Sequence, residues 1–368
     1  MFRPIVCIVL TCLALVAMQP RASAASVTIH TEDAKATLLA LENPSLSRDQ
    51  ALAIARMHGN EAVLQKLHEF KIPSTEKDFA NALYSSAHGQ AVTVPTETAI
   101  ELDLVKPKIH QLLELLSEIQ TRPQDFQGFI QERIAQFSPQ NMTVRLDGYI
   151  VAAGDGGGYA FGGTDFFLNI GIVDDFVVAR NTTTHELYHA VQGAFAAERR
   201  WKAGSSNDSN HQSCASVARL FASMYEEGSA TYVEDISQLA ESHSAIAVRM
   251  KTDLDEGIRH ARTSAALLDM SVVSLTAASP VPYDSVYEVG FLGHGTLYDI
   301  AYVMAKAIVA QDGPQGLTHL LTQPPYQFIL HYTQLPEYGA GEDDPPLGAN
   351  TIAAAKQLAA GCTSTSKL

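Results

Sequence analysis

The stretch TTTHELYHAVQG, residues 182–193, constrains this 368-residue chain more than any other. In HELYH two histidines stand four residues apart, with a glutamate after the first. On an α-helix, positions i and i+4 lie one turn apart on one face, so His185 and His189 point the same way. Two imidazole nitrogens at that spacing can both reach one Zn²⁺ at about 2.0–2.1 Å. Glu186 then sits beside the first ligand, near the metal but not on it. A carboxylate there can accept a proton from water and pass it on. With ordinary residue usage, HExxH arises by chance in about one chain in a hundred of this length. The rival to a metal site is a solvated helix face. Context favours the site. Thr182, Thr183 and Thr184 offer a helix N-cap, Leu187, Ala190, Val191 and Ala194 supply an apolar side, and the strand-like run DFFLNIGIV precedes it.

Two histidines leave a tetrahedral catalytic site one protein ligand short. The longer pattern HExxHxxGxxH is absent, because Gln192 and Phe195 stand where its glycine and last histidine belong. A glutamate on a later helix has to serve, and MYEEGSATYVED, residues 224–235, offers one. Glu227 is the expected third ligand and Glu226 its rival. Gly228 and Ala230 are small, so this helix is expected to pack closely on the HELYH helix.

HELYH with a downstream EGSATY resembles the gluzincin class of zinc metallopeptidases, whose metal site is His-His-Glu. The finer arrangement is similar to bacterial zinc-dependent peptidases of the DUF5700 and DUF2268 kind. There a strand run precedes HExxH, an EGxAxY helix follows, and a helix of the form YxxGxxMAxxI comes later. In this chain that last element reads YDIAYVMAKAI, residues 298–308, with Ala301 where glycine is expected. The likeness covers about residues 140–320. It implies one zinc per chain and a peptide or protein substrate, with a water activated by zinc and Glu186 attacking the peptide carbonyl. It also implies a donor from another element to the developing oxyanion. Tyr298 and His294, in FLGHGTLYDIAY, are the candidates. The strand region 158–170 is offered as an edge that pairs with extended substrate.

The N-terminus reads as a leader. An apolar run from Ile5 to Met18 follows Arg3, and Ala22-Ser23-Ala24 fits a small-x-small cleavage pattern. A secretory signal peptide with cleavage after Ala24 is expected. The run is short of the ~18–20 residues a membrane span needs, so no stable insertion is expected after cleavage and the mature chain should be exported, to the periplasm or outside the cell. Removing residues 1–24 takes away Arg3 and Arg21 and no acid, so the net charge moves from −15 to about −17. Such a surface repels phosphate backbones and makes nucleic acid an unsuitable partner. Cys214 and Cys362 remain. They are either one disulfide, which export permits, or two buried thiols.

From Ser26 to about Pro139 the apolar spacing is helical, in DAKATLLALEN, RDQALAIARMHG, NEAVLQKLHEF and KPKIHQLLELLSEIQ, with Ser47 and Thr75 as helix starts. Residues 143–173 alternate instead and predict two or three strands around glycine turns. GDGGG, residues 154–158, lacks the GxxxxGK[ST] of a phosphate loop and reads as a turn. Helical spacing returns at Thr182, and a short final helix lies near TIAAAKQLAAG. NTT at residues 181–183 matches a glycan acceptor, but a glycan there would crowd His185. The expected organisation is a signal peptide (1–24), an N-terminal helical region (25–139), a catalytic region (140–320) and a C-terminal loop and helix region (321–368). The expected fold is α+β, mostly helical and zincin-like, with a small mixed sheet beside the HExxH helix. A catalytically inactive relative that binds peptide or a protein partner is the second reading. Retention of Glu186 weighs against it, since a binding module needs no general base. Oligomeric state and cleavage preference are not written in these motifs.

Overall fold

A computed structural model describes residues 25–140, 142–201, 209–293, 295–341 and 343–362. The expected leader and its expected cleavage site lie outside the described residues. The fold is α+β and mostly helical, with one four-stranded sheet of order β1-β2-β4-β3. The strands are β1 (Ala25–His30), β2 (Val144–Val151), β3 (Gly158–Ala160) and β4 (Asp165–Asn169). β1 pairs with β2, and β2 with β4, in parallel; β3 runs antiparallel to β4, so the sheet is mixed.

β1 corrects the helical reading of the first segment. Six residues hold too little periodicity to distinguish a strand from a helix start, and ASVTIH becomes a strand by its ladder to β2. The glycine run behaves as a turn. Gly154 and Gly156 adopt φ of 88°, which glycine tolerates, and Asn169 Nδ2 donates to both their carbonyls. The offered edge strand 158–170 is corrected in part. Only Gly158–Ala160 lies at the edge, because β4 is hydrogen-bonded on both sides.

On β2 the alternate residues Leu146, Gly148 and Ile150 are buried. A Cβ at Gly148 would lie 3.4 Å from Thr183 and 3.9 Å from Leu187, so this face of the sheet meets the HELYH helix, Phe176–Ala194. That helix begins well before Thr182. Asp175 is its cap, its carboxylate accepting from Val178 N at 2.9 Å. The expected threonine cap is thus overturned. Thr183 and Thr184 are interior, and their hydroxyls donate one turn back to the carbonyls of Ala179 and Arg180, a bond that lets threonine be buried in a helix. Asn181 is buried too, donating to Asp235 O at 3.1 Å, so NTT is no surface acceptor.

The expected N-terminal helices form, and Ser47 and Thr75 each cap one with a reciprocal box. The EGSATY helix, Ser209–Val233, runs through the second half of the molecule and packs most heavily on Thr296–Asp312, which carries Tyr298. Gly228 makes that crossing possible. A Cβ there would lie 2.5 Å from the Ala301 carbonyl carbon and oxygen. The small residue therefore admits the tyrosine helix, not the HELYH helix as expected. Cys214 and Cys362 are bridged, with Cα atoms 6.6 Å apart, tying the EGSATY helix to the chain end just beyond Ala349–Ala359. No helix among the described residues is long and apolar enough to cross a membrane.

Two predictions follow from this packing. Gly228→Ala forces backbone apart and should cost about 1–3 kcal/mol, read as a lowered denaturation midpoint with an unchanged slope. The second concerns Asp299, whose Oδ1 lies 2.0 Å from where a Cβ of Gly257 would be. Burial, then Asp253, pushes its carboxyl up to about 7, against the opposing influence of His260. The unfolded value is near ~3.9. The native state then holds this proton longer than the unfolded state does. The contribution of Asp299 is full below about pH 4 and lost as pH rises towards 7. Asp299→Asn should therefore gain melting temperature relative to the parent between pH 4 and 7. A difference independent of pH would mean that Asp299 titrates as if in water.

Candidate metal centre

His185 and His189 lie on one face of the HELYH helix, one turn apart, as their spacing requires. Their Nε2 atoms are 3.1 Å from each other. Glu227 arrives from the EGSATY helix, its Oε2 3.6 Å from His185 Nε2 and 3.3 Å from His189 Nε2. Ligand atoms about 2.0–2.1 Å from a tetrahedral zinc stand about 3.3 Å apart, and the three edges of this triangle bracket that value. Among the described residues, this is the group of histidines and carboxylates that could hold a metal ion.

The donor set passes a second test. Glu227 Oε2 is buried without a hydrogen-bond partner. Leaving a buried carboxylate oxygen unpaired costs several kcal/mol by order of magnitude, so such an atom asks for a cation. The surrounding field asks for one as well. Burial opposes charge on His185, yet Glu234 and Glu227 raise its pKa well above the ordinary value. His189 is raised too, with Glu227 overcoming burial. Burial would push the Glu227 carboxyl up, but the two imidazoles hold it far below the usual carboxylate range. Glu186 adds its charge to both histidines.

Each ring is held by its other nitrogen. His185 Nδ1 faces Glu234 Oε2 at 3.5 Å, and His189 Nδ1 meets Gln192 Oε1 at 2.7 Å. The two glutamates of the EE pair part company here. Glu226 forms an ion pair with the buried Arg199, whose Nη1 also donates to Gln192 O at 3.2 Å. Glu227, one residue on, points 100° further round the helix, at the histidines. Arg133 donates to the last carbonyls of that helix, Val233 O at 2.9 Å and Tyr232 O at 3.0 Å, which steadies the negative end of its dipole.

Tyr298 reaches the same centre from the tyrosine helix. Burial and the Glu227 carboxylate raise its pKa strongly, so its phenol keeps the proton and can donate. His294 lies outside the described residues. Sequence reasoning missed Tyr287. Its phenol is pushed up to about 12 by burial and then by Glu227, with Glu226 and Glu186 adding to it. Its ring stacks on Phe291 at 5.0 Å, and Phe291 meets Tyr298 edge-on at 5.5 Å. The missed signal was YxxxF in the turn of helix before Gly293. Gln192, Glu234 and Arg199 were also passed over as site residues.

Residues 53–338, more than half of the chain, match the family described as Putative zinc dependent peptidase (DUF5700). The chain belongs to that family. The match is wider than the motif-bearing region and takes in most of the N-terminal helices. No curated protein and no solved structure gives a match. The family's zinc dependence agrees with the donor set found in this member.

Metal analysis separates the two glutamates. The parent should carry about one zinc per chain. Glu227→Ala and His189→Ala should lose it, while Glu226→Ala should keep it. Zinc loss in Glu226→Ala with retention in Glu227→Ala would reverse the assignment.

Proposed function

We propose that this chain is an exported zinc-dependent peptidase that hydrolyses peptide bonds in a peptide or protein substrate. The observation that carries the reading is the convergence of His185 Nε2, His189 Nε2 and the otherwise unpartnered Glu227 Oε2. When bound there, zinc supplies Lewis-acid polarisation of a carbonyl and a lowered pKa for water. The chain's own residues supply the rest. Glu186 is the proton carrier: its carboxylate accepts a proton from the attacking water and returns it to the leaving amine. Tyr298 is the donor to the oxyanion. A phenol held protonated by burial and a neighbouring carboxylate remains a donor throughout the neutral range. The edge strand β3 offers unpaired backbone groups for an extended substrate. Export is supported by the apolar leader of residues 1–24 and by the cystine, which suits an oxidising compartment.

Glu186→Gln should keep the zinc and lower kcat by at least about 10²–10⁴-fold, measured on a mixed peptide substrate by release of new amino termini. Tyr298→Phe should keep the zinc and lose about 10²–10³-fold in kcat. A zinc-loaded parent that binds peptide without cleaving it would instead favour the inactive, peptide-binding relative.

A further inference from the structure

Gln192 occupies the position that the longer HExxHxxGxxH pattern gives to glycine, and its side chain is almost wholly buried, at 1% exposure. Its amide nitrogen donates to two atoms of the EGSATY helix, Glu226 O at 2.8 Å and Ser229 Oγ at 2.8 Å. A backbone carbonyl can only accept. Ser229 Oγ uses its own proton on Tyr225 O at 2.7 Å, so it too accepts from Gln192. Both partners on the nitrogen side are acceptors, which determines the orientation of the amide. Gln192 Oε1 must therefore be the atom that faces His189 Nδ1, 2.7 Å away. An amide oxygen has no proton, so His189 Nδ1 must carry one. The lone pair of the neutral ring is then confined to Nε2, which points at His185 and Glu227.

Resting on the zinc site proposed above, we infer that Gln192 is the positioning residue that sets the tautomer and ring orientation of His189, with Ser229 and the Glu226 carbonyl as its anchors. The residue does more than hold one ring. It joins the helix that bears two ligands to the helix that bears the third, directly behind the centre. Arg199 locks the same joint from outside, donating to Gln192 O and pairing with Glu226. The ligand triangle is thereby assembled by the protein's own hydrogen bonds, and the cation enters a preformed site. A glycine at 192 would keep the carbonyl that Arg199 binds and provide none of the side-chain bonds.

The test measures zinc affinity by competition with a chromogenic chelator, with metal-free and reloaded protein, and needs no turnover. Gln192→Leu keeps the volume and removes both functions of the amide. It should weaken zinc binding about 10–100-fold, the range typical for loss of a partner behind a metal-ligating histidine. Ser229→Ala removes one anchor only and should weaken it less, which keeps the test usable if Gln192→Leu folds poorly. In the zinc-loaded parent, nitrogen-detected NMR should find His189 protonated at Nδ1, with that proton slow to exchange. In Ser229→Ala the exchange should quicken. Zinc affinities within twofold of the parent in both variants, or zinc bound through His189 Nδ1, would overturn the role of Gln192 while leaving the zinc site standing. A parent that takes up no zinc would instead overturn the site itself.

Discussion

A half-buried carboxylate between two half-buried imidazoles, with one carboxylate oxygen fully enclosed, is the interaction around which the rest of this molecule is arranged. Glu227 has an oxygen with no hydrogen-bond partner and two histidine nitrogens within 3.6 Å. Charge in such a place is tolerated only when it is paired. The pairing also has to be held, because three side chains from two helices must converge to within a few tenths of an ångström. The EGSATY helix does most of the holding. It supplies Glu227 itself, Glu234 behind His185, and the Ser229 and Glu226 acceptors that steady Gln192 behind His189. Its far end is capped by Arg133, and its near end is tied by the cystine to the last helix.

The sheet has a simpler part. β2 and β4 form the floor on which the HELYH helix lies, and Gly148 removes a side chain where that helix comes close. The tyrosine helix closes the centre from another side and approaches the EGSATY helix backbone to backbone at Gly228 and Ala301. The alanine at 301, a departure from the glycine expected there, is accommodated because Gly228 opposite has no side chain. One small residue at the crossing suffices. Tyr298 and Tyr287 reach the field of Glu227 through this arrangement.

Much of the site was legible because its signals are short-range. HELYH encodes its own geometry, since any helix through it sets both histidines on one face. The glutamate that meets the histidines could be narrowed to EE in EGSATY, but the choice between Glu226 and Glu227 depends on Arg199, 27 residues from Glu226, which engages the first and leaves the second. The threonines before His185 resembled a cap because Thr often is one. The helix runs past them because Asp175 caps earlier and their hydroxyls find carbonyls one turn back. β1 was hidden for a different reason. A six-residue strand is defined by its partner, and its partner lies more than a hundred residues downstream.

By itself the sequence determined the helix faces, the turn at the glycine run, the placing of His185 and His189 one turn apart on one helix face, and the mostly helical α+β class. Each of these depends on residues within about two helical turns, where covalent geometry sets who is near whom. Only the tertiary structure decided which glutamate faces the histidines, which helix Gly228 admits, that the two cysteines meet, and that Gln192 meets Ser229 and the Glu226 carbonyl. Those outcomes depend on distances between helices far apart in the chain, and such distances are set by packing and by the pairing of buried polar groups, which no local pattern encodes.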